Sequence, residues 1–424
     1  MNEFDKIFGY ELEKQEMIRL CDTLHNREKY ETLGIALPKA ILLYGEPGLG
    51  KTLMAKAFIS QCGRKVFHCK KNKSNGEFVN EIKVTFENAI KEAPSIIFFD
   101  DMDKFAEDNL RQDCNKEEFV AIQTGLEDIQ SSDVFVIATS NDIDNLPGSL
   151  LRDGRFGKRL KFSAPPYEDS VKIIRHYLAS KRISPDVKPE SLAHILCKCS
   201  CATLERVVNE AGICAVFDGA SEITLDHIRE AISMVLIERA SLPKDDKAKP
   251  FIAYHEAGHA VMNLLAHRSV GCLAIGRCGY DGACGLCRVG EEVKTSNFED
   301  IRYKILTALA GKAGSELQFG IVDVGVAKDV EKAMGIIQDN LQSICVHGFE
   351  YCYTTDAYND SQSYAQIDKN QIKATQLLDE YYNEAKELLS KHKALLDAIA
   401  KELLAKEILI YDDIIRIASG YNVD

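Results

Sequence analysis

Two short stretches combine residue types and spacings that catalysis needs. His255-Glu256-Ala257-Gly258-His259 sits inside an apolar helical run, AYHEAGHAVMNLL. A spacing of four puts both imidazoles on one helix face, where they can hold one Zn²⁺. Glu256, one position along, can reach the metal's water and act as general base rather than ligand. The metal lowers the pKa of that water, so hydroxide forms near neutral pH. A helix that buries two histidines and a glutamate without a metal is costly, which favours the metal over a structural pair. Catalytic zinc also needs a third protein ligand and an open position, and the sequence by itself offers many carboxylates.

The second stretch is Gly45-Glu46-Pro47-Gly48-Leu49-Gly50-Lys51-Thr52, which fits G-x-x-x-x-G-K-[ST]. It follows the apolar run Ala40–Tyr44 and precedes a helical one. Gly45, Gly48 and Gly50 let backbone N–H groups turn inward around phosphates, and the helix N-terminus adds its positive dipole end. Lys51 would reach the β- and γ-phosphates of ATP, and the Thr52 hydroxyl would join a Mg²⁺ shell. A second apolar run ends in Asp100-Asp101-Met102-Asp103. Asp100 is placed to hold Mg²⁺ and Asp101 to polarise the attacking water. A third run leads into Ala138-Thr139-Ser140-Asn141, bringing an amide to the same sheet edge. Downstream, Arg152 and Arg155 flank a glycine turn and could stabilise charge on the transferring phosphoryl group, in their own or a neighbouring subunit. Taken singly, such arginines are more often surface ion-pair partners.

The elements that must position these groups are legible as patterns. Residues 1–166 alternate apolar runs with amphipathic stretches, the pattern of an α/β unit with a parallel sheet. Residues 167–238 read as a helical lid, and Arg239–Pro250 is a charged, proline-containing linker. Residues 251–424 read as mostly helical, with strand and loop at Gly271–Val293. A length of 424 residues suits two to four compact units. Hydrophobic residues at 46% and charged residues at 28% are the balance of a soluble globular protein. A net charge of −13 argues against a nucleic-acid or anionic-membrane partner, the basic run Lys70-Lys71-Asn72-Lys73 reading as a solvated loop. No apolar stretch approaches the roughly 20 residues of a membrane span, and the N-terminus lacks a secretory signal. The chain as written therefore reads as cytoplasmic, membrane-associated only as a piece of a longer protein, and its 14 cysteines as reduced thiols. Cys272, Cys278, Cys284 and Cys287 contain one C-x-x-C, which is read as unligated; Cys197, Cys199 and Cys201 are read as lid packing.

In order, the phosphate loop, IIFFDDMD, ATSN and LLRDGRF resemble an AAA+ ATPase module. That resemblance implies a ring, usually a homo-hexamer, with ATP bound between subunits. It makes Arg152 and Arg155 trans-acting fingers and Asn141 a γ-phosphate sensor, and lays Phe8-Gly9 against adenine. AYHEAGHAV, Ala308–Gly320 and Val324–Ala333 resemble the peptidase domain of FtsH-type AAA proteases. The aspartate before the last helix of that motif set completes the family's zinc site, and it matches Asp329, with Glu316 the next candidate. The resemblance runs from Phe4 to about Ile417. It implies an α/β AAA+ domain with parallel sheet and lid, followed by a mostly helical zinc metallopeptidase. It further implies an ATP-driven machine that unfolds and degrades protein substrates. The alternatives are a remodelling ATPase without proteolysis and a peptidase with a weak motor. Three departures stand out: Asp101 replaces a glutamate, the aromatic–apolar–glycine pore tripeptide is missing, and no N-terminal membrane helix is present. In the shortened loop His68–Ile82, Phe78 reads equally as the pore aromatic or as the first core residue of a helix through Phe86.

Overall fold

The computed structural model describes residues 2–71, 75–106, 117–236, 247–277, 283–289, 297–321, 326–351 and 364–421. Two compact units result, Met1–His176 with Lys198–Glu205, and Tyr177–Cys197 with Arg206–Asp424.

The first unit contains helices α1 (Glu11–His25) and α2 (Arg27–Thr32), then β1 (Ala40–Tyr44), α3 (Lys51–Cys62), β2 (Lys65–Cys69) and α4 (Asn75–Lys91). It continues with β3 (Ser95–Phe99), α5 (Glu117–Asp128), β4 (Val134–Ser140) and β5 (Lys158–Lys161). Helix α6 (Tyr167–Leu178) follows. The strands form one parallel sheet in the order β2-β3-β4-β1-β5. Both faces are covered, which is why β1, β3 and β4 carry continuous apolar runs rather than alternating. Ile41, Leu43, Ile96, Phe98, Phe135 and Ile137 pack with Met54 and Phe58 on one side. Leu42, Ile97, Phe99 and Val136 pack with Phe86 and Ile122 on the other.

Phe78 belongs to that second layer. It is fully buried on α4, its ring edge-on to Phe105 with centroids 4.9 Å apart. Phe78, Ile82, Phe86 and Ala89 recur at helical spacing and all face the core. Of its two readings, the core residue is the one found, and the pore-loop assignment of Phe78 is corrected.

The second unit holds α7 (Pro189–Ile195), most of α8 (Cys201–Phe217), α9 (Leu225–Leu236) and α10 (Lys249–Leu265). Strands β6 (Val270–Arg277) and β7 (Ala283–Val289) come next, then α11 (Phe298–Phe319) and α12 (Ala327–Asp339). The chain ends with α13 (Tyr364–Lys391), α14 (Lys393–Lys406), β8 (Ile408–Ile410) and α15 (Tyr411–Ala418). A small antiparallel sheet runs β7-β6-β8, and a large apolar cluster joins α10, α11, α13 and α14. Lys249 already lies in α10, buried and 2.5 Å from Glu407, so the helix starts inside the stretch read as linker. Most of that linker lies outside the described residues.

The compact units do not follow the sequence-based lid boundary. Within the second unit the Ser191 hydroxyl donates to Asp412 at 2.9 Å, and His194 stacks on Tyr411 at 4.1 Å. Arg229 donates to the buried Asp413 at 3.0 Å. Two polar contacts and a ring stack thus tie α7 and α9 to α15. No helix among the described residues is long and apolar enough to cross a membrane. Cys197, Cys199, Cys201, Cys272 and Cys287 form no disulfide, whereas Cys345 is disulfide-bonded, against the expectation of reduced thiols throughout. Cys278 lies outside the described residues.

Candidate active sites

The phosphate-loop site is assembled by strand register. Tyr44 pairs with Ser140 and Phe99 with Ala138, so Gly45, Asp100 and Asn141 emerge together at the carboxyl ends of three neighbouring strands. That edge is where parallel α/β sheets bind ligands. Gly45 has φ +142°, and a Cβ there would stand 2.1 Å from the Phe162 carbonyl oxygen; Gly48 and Gly50 also have positive φ. Lys51 is buried, its Nζ donating to the carbonyls of Gly45 (2.6 Å) and Glu46 (2.7 Å) and to Asn141 Oδ1 (2.9 Å). Burial pushes its pKa down, against the pull of Asp101, Asp103 and Asp100.

Asp100 Oδ1 accepts from the hydroxyls of Thr52 (3.0 Å) and Thr139 (2.9 Å). Asp101 adopts a left-handed backbone, φ +55°, which few non-glycine residues take without support. Its N–H donates to Thr139 Oγ1 at 2.9 Å, and its Oδ1 accepts from Asn141 Nδ2 at 3.3 Å. Asn141 is itself fixed by its N–H donating to the buried Asp103 at 2.8 Å. Sequence reasoning missed Thr139 and Asp103 as supports; their only signal was adjacency to the residues singled out. Phe8 stacks on His176 at 4.0 Å beside Gly9. Arg152 is exposed, while Arg155 bridges the Ser149 carbonyl (2.6 Å) and Glu127 (2.7 Å) of its own chain.

The second site lies on α10. His255 Nε2 and His259 Nε2 are 3.0 Å apart, and Asp329 Oδ2 is 3.0 Å from the first and 3.3 Å from the second. Asp329 comes from the first turn of α12. His259 Nδ1 lies 2.7 Å from the Thr307 carbonyl of α11, so it carries the proton there and leaves the Nε2 lone pair facing the cluster. Two imidazole nitrogens aimed at each other beside a carboxylate form the donor set of a cation. Tetrahedral zinc with bonds near 2.0–2.1 Å holds its ligand atoms about 3.3 Å apart, which these spacings fit.

Close helix packing makes this possible. A Cβ on Gly258 would stand 2.2 Å from the Ala310 carbonyl, and one on Gly311 would stand 2.5 Å from His255 Cε1. Neither glycine was singled out from the sequence, because only the fold brings α11 against the metal helix. Glu256 is buried, and desolvation raises its pKa against the pull of both histidines. Glu316 is not in this cluster. Hydrogen bonds from Tyr382 and Lys386 draw its pKa down to about 2, and it braces α11 on α13.

These sites define a class, an ATPase region followed by a metallopeptidase region, and comparison with known proteins agrees. Residues 41–164 match the ATPase family associated with various cellular activities (AAA), and residues 243–417 match peptidase family M41. ATP-dependent zinc metalloprotease FtsH 1 of Phytoplasma mali (strain AT) is 30% identical over 97% of this chain and 70% of its own length. FtsH of Lactococcus lactis subsp. lactis (strain IL1403) is 29% identical over 96% of this chain, which spans 62% of that relative. FtsH of Ureaplasma parvum serovar 3 is also 29% identical, with 59% of its length spanned. The chain belongs to the FtsH family of ATP-dependent zinc metalloproteases.

Proposed function

We propose that the chain is an ATP-dependent zinc endopeptidase of protein substrates. Residues 1–166 would bind ATP, 167–238 form the lid, and 251–424 cleave. The observation that carries this reading is the convergence of His255, His259 and Asp329 beside a buried Glu256, in a chain with a complete phosphate loop.

The first three would hold zinc, which supplies Lewis acidity and a water of lowered pKa when bound. Glu256 takes a proton from the attacking water and returns it to the leaving amine nitrogen. Thr307 keeps His259 in the ligating tautomer. In the ATPase, Lys51 must leave Asn141 for the phosphates, Thr52 and Asp100 would hold Mg²⁺, and Asp101 would orient water. Arg152 is the finger that remains exposed for a neighbouring subunit; it works only in an assembly, for which a homo-hexamer is the family's precedent.

Casein degradation by the purified oligomer tests this reading, with Glu256→Gln and Lys51→Ala beside it. Glu256→Gln should lose roughly 10²–10⁴ of peptidase rate and keep ATP hydrolysis. Lys51→Ala should lose ATP binding. Proteolysis unaffected by Glu256→Gln would refute the assignment. A second reading, a peptidase with a weak motor, is favoured by the burial of Phe78 and by the engagement of both Asp101 oxygens. Cleavage of casein without cleavage of a stably folded substrate would select it.

A further inference from the structure

Two lysines, neither used above, reach into the ATPase carboxylates. Cys69 and Phe99 are register partners, so Lys70 follows β2 directly opposite Asp100 after β3. Its Nζ lies 3.7 Å from Asp100 Oδ2, while Asp100 Oδ1 is taken by the two threonine hydroxyls. Lys104, in the turn Met102–Ala106, places its Nζ 3.0 Å from Asp101 Oδ2, while Asp101 Oδ1 is taken by Asn141. Each carboxylate therefore has one oxygen bound to neutral donors and the other facing an ammonium.

Those ammonium-facing oxygens are the ones left for a divalent cation and for the attacking water. An ammonium beside Asp100 competes with Mg²⁺ for the same charge, and one beside Asp101 occupies the oxygen that would accept a hydrogen bond from the attacking water. The side chains of Lys70 and Lys104 are 65% and 50% exposed, so water and the nucleotide's own metal can displace them. The hold is that of an exposed ion pair, a throttle rather than a block. The basic run that reads as a solvated loop thus has specific contacts at Lys70 and at Lys71, whose Nζ donates to the Phe105 carbonyl at 3.1 Å.

We propose that Lys70 and Lys104 together form an electrostatic brake on ATP hydrolysis, holding Asp100 and Asp101 against entry of Mg²⁺ and alignment of the attacking water. The proposal rests on the ATPase reading above. Its test uses the full chain carrying Lys70→Met, Lys104→Met or both, with Lys104→Arg as the conservative variant and Lys65→Met as a control for net charge. The first readout is the gain in affinity for a fluorescent, non-hydrolysable ATP analogue when Mg²⁺ is added. The second is kcat and KM for ATP. The double variant should raise the Mg²⁺-dependent gain and kcat by about threefold to fivefold, the range an exposed pair can reach. KM should change less than kcat, and Lys104→Arg should behave as wild type. Values within experimental scatter of wild type, a fall in kcat, or an equal rise in Lys65→Met would overturn the brake. If wild type and variants alike fail to bind the analogue, the ATPase reading fails and the brake falls with it. That pattern is distinct from binding without a change.

Discussion

At Gly311 one added carbon would stand 2.6 Å from Nε2 of both His255 and His259, closer than atoms pack. Gly311→Ala must therefore push the imidazoles apart although it removes no ligand. Metal analysis of the purified variant should find bound zinc reduced at least tenfold with ATP hydrolysis kept; full zinc content would mean α11 can retreat. Glu316 offers a pH prediction. Its folded pKa, about 2, lies below the ordinary 4.5, so its ion pairs stabilise the fold above that ordinary value and are lost as pH falls toward 2. Glu316→Gln should lower Tm at pH 7, and thermal scans should find the gap to wild type narrowing between pH 4.5 and 3. At this scale the two histidines and the phosphate loop were legible because their spacing is local, whereas Asp329, far along the chain, came only from the family resemblance. Thr139, Asp103 and Thr307 were not legible, since their roles depend on register and helix packing.

Among the elements, the apolar strands were readable because a sheet covered on both faces leaves no polar alternation to confuse the pattern. Helix α4 was ambiguous at its start for a physical reason. An aromatic near a helix N-terminus looks the same whether it faces a pore or a core, and only the partner ring of Phe105 separates the two. Phe78→Ala should cost about 3–5 kcal/mol in denaturant unfolding, as a large buried side chain does. A loss under about 1 kcal/mol would return Phe78 to the surface. The lid's helices were legible as helices, but their attachments were not, because Ser191, His194 and Arg229 meet α15 across some 180 to 220 residues of chain.

For the whole molecule, those attachments decide how the chain can be taken apart. A fragment starting at residue 251 would leave the ring of Tyr411 without His194, and Asp412 and Asp413 without Ser191 and Arg229. One starting at residue 177 keeps all three pairs, and its melting temperature should exceed that of the shorter piece by several degrees; equal values would mean the contacts contribute little. Anyone expressing the peptidase by itself would therefore do better to cut within the lid than at the charged stretch before α10. A cloning boundary drawn from sequence pattern alone severs a contact surface that the fold treats as interior.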